Sequence, residues 1–321
     1  MTFLQRHTDL LEKEIKQIEL PLSPNNLYDP LRYFLMLGGK RIRPVLTLIS
    51  GDLFGADSSH CKNAALAIEL FHNFTLIHDD IMDNAPLRRS QQTVHEKWNT
   101  NIAILSGDVL FVKAYELLSL CSEKHIKDLL CIFSKTAREV CEGQQMDMDF
   151  ETRFDVSETE YIEMIRLKTS VLLGCALEMG AVIGNATMDE RNHIYNFGVH
   201  LGIAFQIQDD ILDLFGNPEK VGKQPGGDVI SNKKTLLSIL AKQLASEKEL
   251  RLLSNLENEL DLKKKVEEVQ AIYTQLNVRN VCKQKMDDHF TIAINSLSKI
   301  NTHKSKEELI QLAEFLFNRD H

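Results

Sequence analysis

Several things are scarce in this sequence. Val, Ile, Tyr and Thr nowhere alternate with polar residues at period two over a strand's length, so a sheet cannot be the framework. Only seven of 321 residues are proline, and none falls between Pro86 and Pro218 or after Pro225, so no proline breaks a helix there. No apolar run is long enough to span a membrane, and Met1-Thr2-Phe3-Leu4-Gln5-Arg6-His7 lacks the charged-then-apolar order of a signal peptide. A cytoplasmic location is expected. The six cysteines, at 61, 121, 131, 141, 175 and 282, include no Cys-x-x-Cys pair and are expected to be reduced core thiols, neither ligands nor bridges. Positive charge is also short. A net charge of −9 leaves no broad basic face to release counterions from nucleic acid, which is excluded as a general partner.

What is present is a helical chain. With 43% hydrophobic and 26% charged residues, its Leu/Ala/Glu/Lys-rich stretches repeat at helical spacing. That spacing predicts helices over about 3–18, 29–37, 42–54, 60–83, 93–98, 101–121, 125–148, 157–184, 187–215, 230–257 and 262–318 with breaks. No low-complexity linker divides these segments. The expected organisation is one all-α domain over residues 1–321, with the loop from Asn217-Pro218 to Gly227 belonging to the site.

The chain's chemistry concentrates in Glu69–Asp83. As a helix, this stretch puts Glu69, His72, Asn73, Asp79, Asp80 and Asp83 on one arc, with Leu70, Phe71, Phe74, Ile77, Ile81 and Met82 opposite. Carboxylates at Asp79 and Asp83 would lie about 6 Å apart and repel by roughly 3 kcal/mol, which calls for a cation. Oxygen-only ligands favour Mg²⁺ or Mn²⁺. One Asp-Asp-x-x-Asp is a weak signal, and Met286-Asp287-Asp288-His289 shows how easily half of it arises. A second full copy, Asp209-Asp210-Ile211-Leu212-Asp213, again ends an apolar helix, and two such triads predict one site. Gly198 and Gly202 fall on the same stripe as Gln206, Asp209 and Asp213. They leave either a channel beneath the carboxylates or room for a packed neighbouring helix.

Cations accompany the acids. Gly38-Gly39-Lys40-Arg41-Ile42-Arg43-Pro44 sets Lys40 and Arg43 near a helix N-terminus, a good place for an anion. Arg88-Arg89 follows Asp83, and arginine pairs suit bidentate phosphate capture. Lys168-Thr169 interrupts an apolar helical face, and Lys223, Lys233 and Lys234 follow the second triad. Gly107-Asp108 and Gly143-Gln144 through Asp147 and Asp149 are either supporting acids or helix ends.

Taken together, GGKRIRP, LIHDDIMD-x4-RR, SGD, KTS and FQIQDDILD, in this order from Tyr28 to Thr235, resemble the trans-isoprenyl diphosphate synthases, the family of farnesyl and geranylgeranyl diphosphate synthases. The resemblance implies an all-α bundle around a deep central cavity, a homodimer, and a cluster of about three Mg²⁺ ions, with Mn²⁺ an alternative. It implies metal-binding roles for Asp79, Asp80, Asp83, Asp209, Asp210 and Asp213, in which Asp80 supports its neighbours. Lys40, Arg43, His72 and Arg89 match positions that hold isopentenyl diphosphate. Arg88, Lys168, Thr169, Gln206, Lys223 and Lys233 match those around the allylic diphosphate. The ending Phe317-Asn318-Arg319-Asp320-His321 resembles a basic tail found in some members, although its basic run is thin. Phe74 and Thr75, one turn below Asp79, occupy the chain-length position, and a single aromatic five residues before the first aspartate resembles members that make a C20 product, with C15 second. A terpene cyclase would normally replace the second triad and lack Gly-Gly-Lys-x-x-Arg. A regulatory subunit without activity would normally lose an acidic motif.

Overall fold

In the computed structural model, residues 2–216 and 226–317 are described. The chain is helical almost throughout: α1 Thr2–Lys16, α2 Asn25–Leu35, α3 Ile42–Leu53, α4 Ser58–Met82, α5 Val94–Lys97, α6 Thr100–Ser119, α7 Ile126–Thr152, α8 Glu158–Ile165, α9 Val171–Ile183, α10 Met188–Phe215, α11 Gly227–Ile230, α12 Leu236–Leu244, α13 Glu247–Leu256, α14 Leu262–Gln275, α15 Val278–Ser298 and α16 Glu307–Phe317. The strands among the described residues are β1 Leu87–Arg88 and β2 Gln91–Gln92, an antiparallel pair with Leu87 opposite Gln92.

Local chemistry explains many of the ends. Asp57, Asn99 and Thr235 each accept a hydrogen bond from an amide in the first turn of α4, α6 and α12, which satisfies a donor the helix leaves open. Ser157/Glu160 and Ser246/Glu249 form full capping boxes on α8 and α13.

The structure differs from expectation in several places. The helix expected over 157–184 changes register at Arg166–Ser170, where one π turn joins α8 to α9. The helix expected over 230–257 is three pieces, broken before Thr235 and at Ala245-Ser246. Cys131 and Cys141 are exposed, whereas Cys61, Cys175 and Cys282 are buried as expected.

Two compact units are formed. The first comprises residues 1–134, 175–192 and 302–308. In it α3 and α6 pack on α4, which is not the two-faced helix its sequence predicts. Glu69, Asn73 and Asp80 are buried in it alongside Leu70, Phe71 and Ile77. The second unit comprises residues 135–174, 193–301 and 309–321, with a core of Tyr161, Ile203, Ile207, Leu236, Leu240, Val269 and Met286 drawn from α8, α10, α12, α14 and α15.

Candidate active site

In the first unit, α4 ends at Met82 and Asp83 caps it, its amide donating to Asp79 O at 2.8 Å. Asp79 is half-buried and Asp83 exposed. Asp80 points the other way. It is 1% exposed, and its two oxygens accept from Arg88 Nε at 2.9 Å each. Burial raises its pKa against the pull of Arg88. Neighbouring helical residues diverge by about 100°, so the three aspartates do not share a face, and Asp80 ties α4 to the hairpin. That corrects the expectation that Asp80 lies on one arc with Asp79 and Asp83.

The hairpin aims both arginines. Arg89 and Ser90 have φ of 54° and 62°, the paired left-handed conformation of a tight primed turn. The Arg89 guanidinium then lies against Gly39, where a Cβ would come within 2.9 Å of Nη2. Gly38 and Gly39, at φ of 74° and 151°, thus serve both the turn and this close approach. Arg43 Nη1 sits 3.2 Å from His72 Nε2, and Arg43 Nε is buried with no hydrogen-bond partner among the described residues. Burial and then Arg43, Arg89, Arg88 and Arg41 hold the His72 pKa well below 6.5, so His72 is neutral and accepts from Arg43. Burial lowers Arg43 to about 10, with Glu69 opposing. A buried donor left over among crowded cations is chemistry that suits an anion. Lys40 is exposed at its edge.

Arg41, given no role by sequence reasoning, underlies this corner. It is 3% exposed, donates from Nε to Glu12 at 2.7 Å and from Nη2 to Leu35 O at 3.1 Å, and forms an ion pair with Glu69. Below Asp79, Phe74 stacks on Phe111 with ring centroids 5.0 Å apart and meets Phe71 at 5.5 Å. Tyr115 and Phe133 continue the cluster. Thr75 donates to His72 O within its own helix.

In the second unit, one pocket is lined by Lys168, Thr169, Gln206, Asp210 and Lys233, together with Asp147, Tyr161, Asp228, Lys234 and Thr235. Sequence reasoning named the first five of these and Lys234, left Asp147 open, and gave no role to Tyr161 or Asp228. Lys168 pairs with Asp147 at 2.5 Å. The π turn presents Lys168 and Thr169 here, with Gly143 allowing the approach, because a Cβ there would meet Lys168 N at 2.3 Å. Thr169 donates to Gln206 Oε1 at 3.3 Å, and Gln206 to Asp210 Oδ1 at 3.4 Å. Asp210, 5% exposed, also accepts from the Tyr161 hydroxyl and from Leu236 N. Burial pushes its pKa up to about 8. Like Asp80, it is an internal anchor, while Asp209 and Asp213 are half-buried. Asp213 Oδ2 accepts from Asp228 N at 3.0 Å.

Gly202 is not a channel wall. A Cβ there would stand 2.7 Å from Ser170 Cα, so the residue serves close helix packing. Lys223 and Arg319 lie outside the described residues.

The polyprenyl synthetase family profile matches residues 24–276. The chain belongs to the polyprenyl synthetase family. This synthetase is an enzyme of the trans-isoprenyl diphosphate synthase type, with the all-α fold of that family. It is 39% identical to a geranylgeranyl pyrophosphate synthase of Geoglobus acetivorans, covering 97% of each chain. It is 35% identical to a short chain isoprenyl diphosphate synthase of Methanothermobacter thermautotrophicus, covering 100% of this chain and 99% of the other. Among solved structures, a geranylgeranyl pyrophosphate synthetase from Pyrococcus horikoshii superposes with a TM-score of 0.94 at 33% identity, covering 99% of the synthetase and 98% of that chain. No helix among its described residues is long and apolar enough to cross a membrane.

Proposed function

We propose that this enzyme condenses isopentenyl diphosphate with an allylic diphosphate (dimethylallyl, geranyl or farnesyl) to give chiefly geranylgeranyl diphosphate (C20), with farnesyl diphosphate (C15) second. The observation that carries this reading is that each acidic motif shares its unit with a group of basic and polar side chains whose chemistry suits a diphosphate. Arg43, His72 and Arg89 accompany Asp79 and Asp83, and Lys168 and Lys233 accompany the second motif. The C20 product is supported by the relatives' names and by the ring of Phe74 below Asp79, braced by Phe111. We further propose one cytoplasmic domain that works as a homodimer.

Members of the family use a divalent metal. The donors here fit Mg²⁺, with Mn²⁺ the alternative. Among the described residues no three His, Cys, Asp or Glu side chains gather tightly enough to hold a metal alone, and Mg²⁺ characteristically takes one or two carboxylates and completes its shell with water and substrate phosphate. Asp79 and Asp83, and Asp209 and Asp213, are the proposed ligands, about three ions being bound. Bound Mg²⁺ supplies charge stabilisation for the leaving diphosphate.

The side chains do the rest. Lys168 and Lys233 take up charge on the departing allylic diphosphate, Thr169 and Gln206 orient it, and Arg88 holds Asp80 so that Asp79 keeps its aim. Lys40, Arg43, His72 and Arg89 grip isopentenyl diphosphate, whose double bond attacks the allylic carbon as its C–O bond breaks. The released diphosphate takes the proton, so no nucleophilic Ser or Cys is required. Incubation with Mg²⁺, isopentenyl diphosphate and each allylic starter should give a linear C20 diphosphate. A cyclised hydrocarbon, or no turnover by the protein alone, refutes the reading.

A further inference from the structure

Lys265 on α14 is 3% exposed, and among the described residues no carboxylate forms an ion pair with it. Its ammonium has three protons to place, and three oxygens surround it: Ile230 O at 3.3 Å, Glu257 O at 3.2 Å and Asn232 Oδ1 at 2.8 Å. Ile230 and Glu257 stand where α11 and α13 end, and carbonyls at helix ends lack helical partners. A cation buried among helix-end carbonyls holds them together as a small metal ion would. Burial lowers its pKa, and the nearby Glu257 carboxylate is engaged by Lys242 at 3.1 Å.

The segment it clamps carries Lys233. Asn232, at φ 54°, also donates to Glu257 O at 3.1 Å. Lys233 N donates to Asp228 O at 2.9 Å, and Asp228 N to Asp213 Oδ2 at 3.0 Å. Two more residues of α14 reach the same surroundings. Gln270 Nε2 donates to Leu214 O at 3.1 Å, and Val266 stands where a Cβ on Gly226 would come within 2.7 Å of it. One helix therefore braces the end of α10 and the turn that bears Lys233.

We infer that Lys265 is a positioning residue for the reaction: it locks the Ser231–Thr235 turn so that Lys233 is held at the allylic diphosphate. This rests on the assignment of Lys233 made above. The effect belongs to one substrate only, because isopentenyl diphosphate is assigned to residues of the other unit.

The test is steady-state kinetics with both substrates varied. Lys265→Met keeps the stem and removes the ammonium. It should raise KM for the allylic diphosphate and lower kcat, together costing roughly ten- to hundredfold in kcat/KM, with KM for isopentenyl diphosphate unchanged. In a Lys233→Ala background the same substitution should add little, since both act through one group. Asn232→Ala, which removes one of the three acceptors, should show a smaller effect of the same kind and serves if Lys265→Met does not fold. Equal changes in both KM values, a fall in kcat alone, or full additivity with Lys233→Ala overturns the inference. If Lys233→Ala itself leaves the allylic KM untouched, the assignment of Lys233 is what has failed.

Discussion

Replacing Arg41 with Met should damage the protein out of proportion to one surface charge. Its guanidinium is buried, and it neutralises Glu69, whose side chain is 3% exposed, as well as Glu12. Removing one partner of such a pair leaves a carboxylate in a poorly solvated place, which costs about 3–5 kcal/mol, a large share of the roughly 5–15 kcal/mol that holds a typical domain folded. Asn73 sharpens the effect, because its side-chain amide donates to Glu69 Oε1 at 3.0 Å and cannot replace a cation. The double variant Arg41→Met/Glu69→Gln removes both charges and should recover at least half of the loss. Urea unfolding followed by far-ultraviolet circular dichroism measures the four corners of the cycle. A single-variant loss below about 1 kcal/mol, or a double variant no better than the sum of its parts, would refute the reasoning.

Other consequences can be checked alongside. Phe74→Ala should shift the main product from C20 to longer chains by product chromatography, and Phe111→Ala should shift it less, since Phe111 only backs the Phe74 ring; an unchanged C20 product in Phe74→Ala contradicts the assignment. Asp83→Asn should lower kcat/KM about 10²- to 10³-fold, with a raised Mg²⁺ requirement, while leaving the melting temperature nearly unchanged because Asp83 is exposed. The folded-state pKa of His72 is depressed below its ordinary 6.5, so the unfolded chain binds the extra proton. The stability advantage of the wild type over His72→Gln should be full above about pH 6.5 and shrink as pH falls below it, and an advantage that grows on acidification counts against the buried neutral imidazole. Gly202→Ala should destabilise by about 1–3 kcal/mol through its clash with Ser170, visible as a lower melting temperature.

Much of this molecule can be read from residue order. Long proline-free stretches gave helices where expected, Lys168 and Thr169 line one pocket with Asp210, and Gly39 lies against Arg89. Several misses have simple causes. Asp80 and Asp210 turn inward because consecutive helical positions cannot share a face, something the spacing alone implies. Ser246-x-x-Glu249 is a helix start written plainly in the chain, and it splits the helix expected over 230–257. The π turn at Arg166–Ser170, where Lys168 N comes close to Gly143, has no mark in the sequence. Arg41 and Lys265 escaped notice because charged residues are by default exposed, and only packing reveals a buried cation.

The Arg89-Ser90 corner sets a limit on engineering. Both residues adopt a conformation that Asn-Gly would occupy at less conformational cost, so a search for heat-resistant variants would be drawn to that dipeptide. Such a variant would gain firmness in the hairpin and lose the guanidinium that rests on Gly39, trading turnover for durability at one bend of the chain.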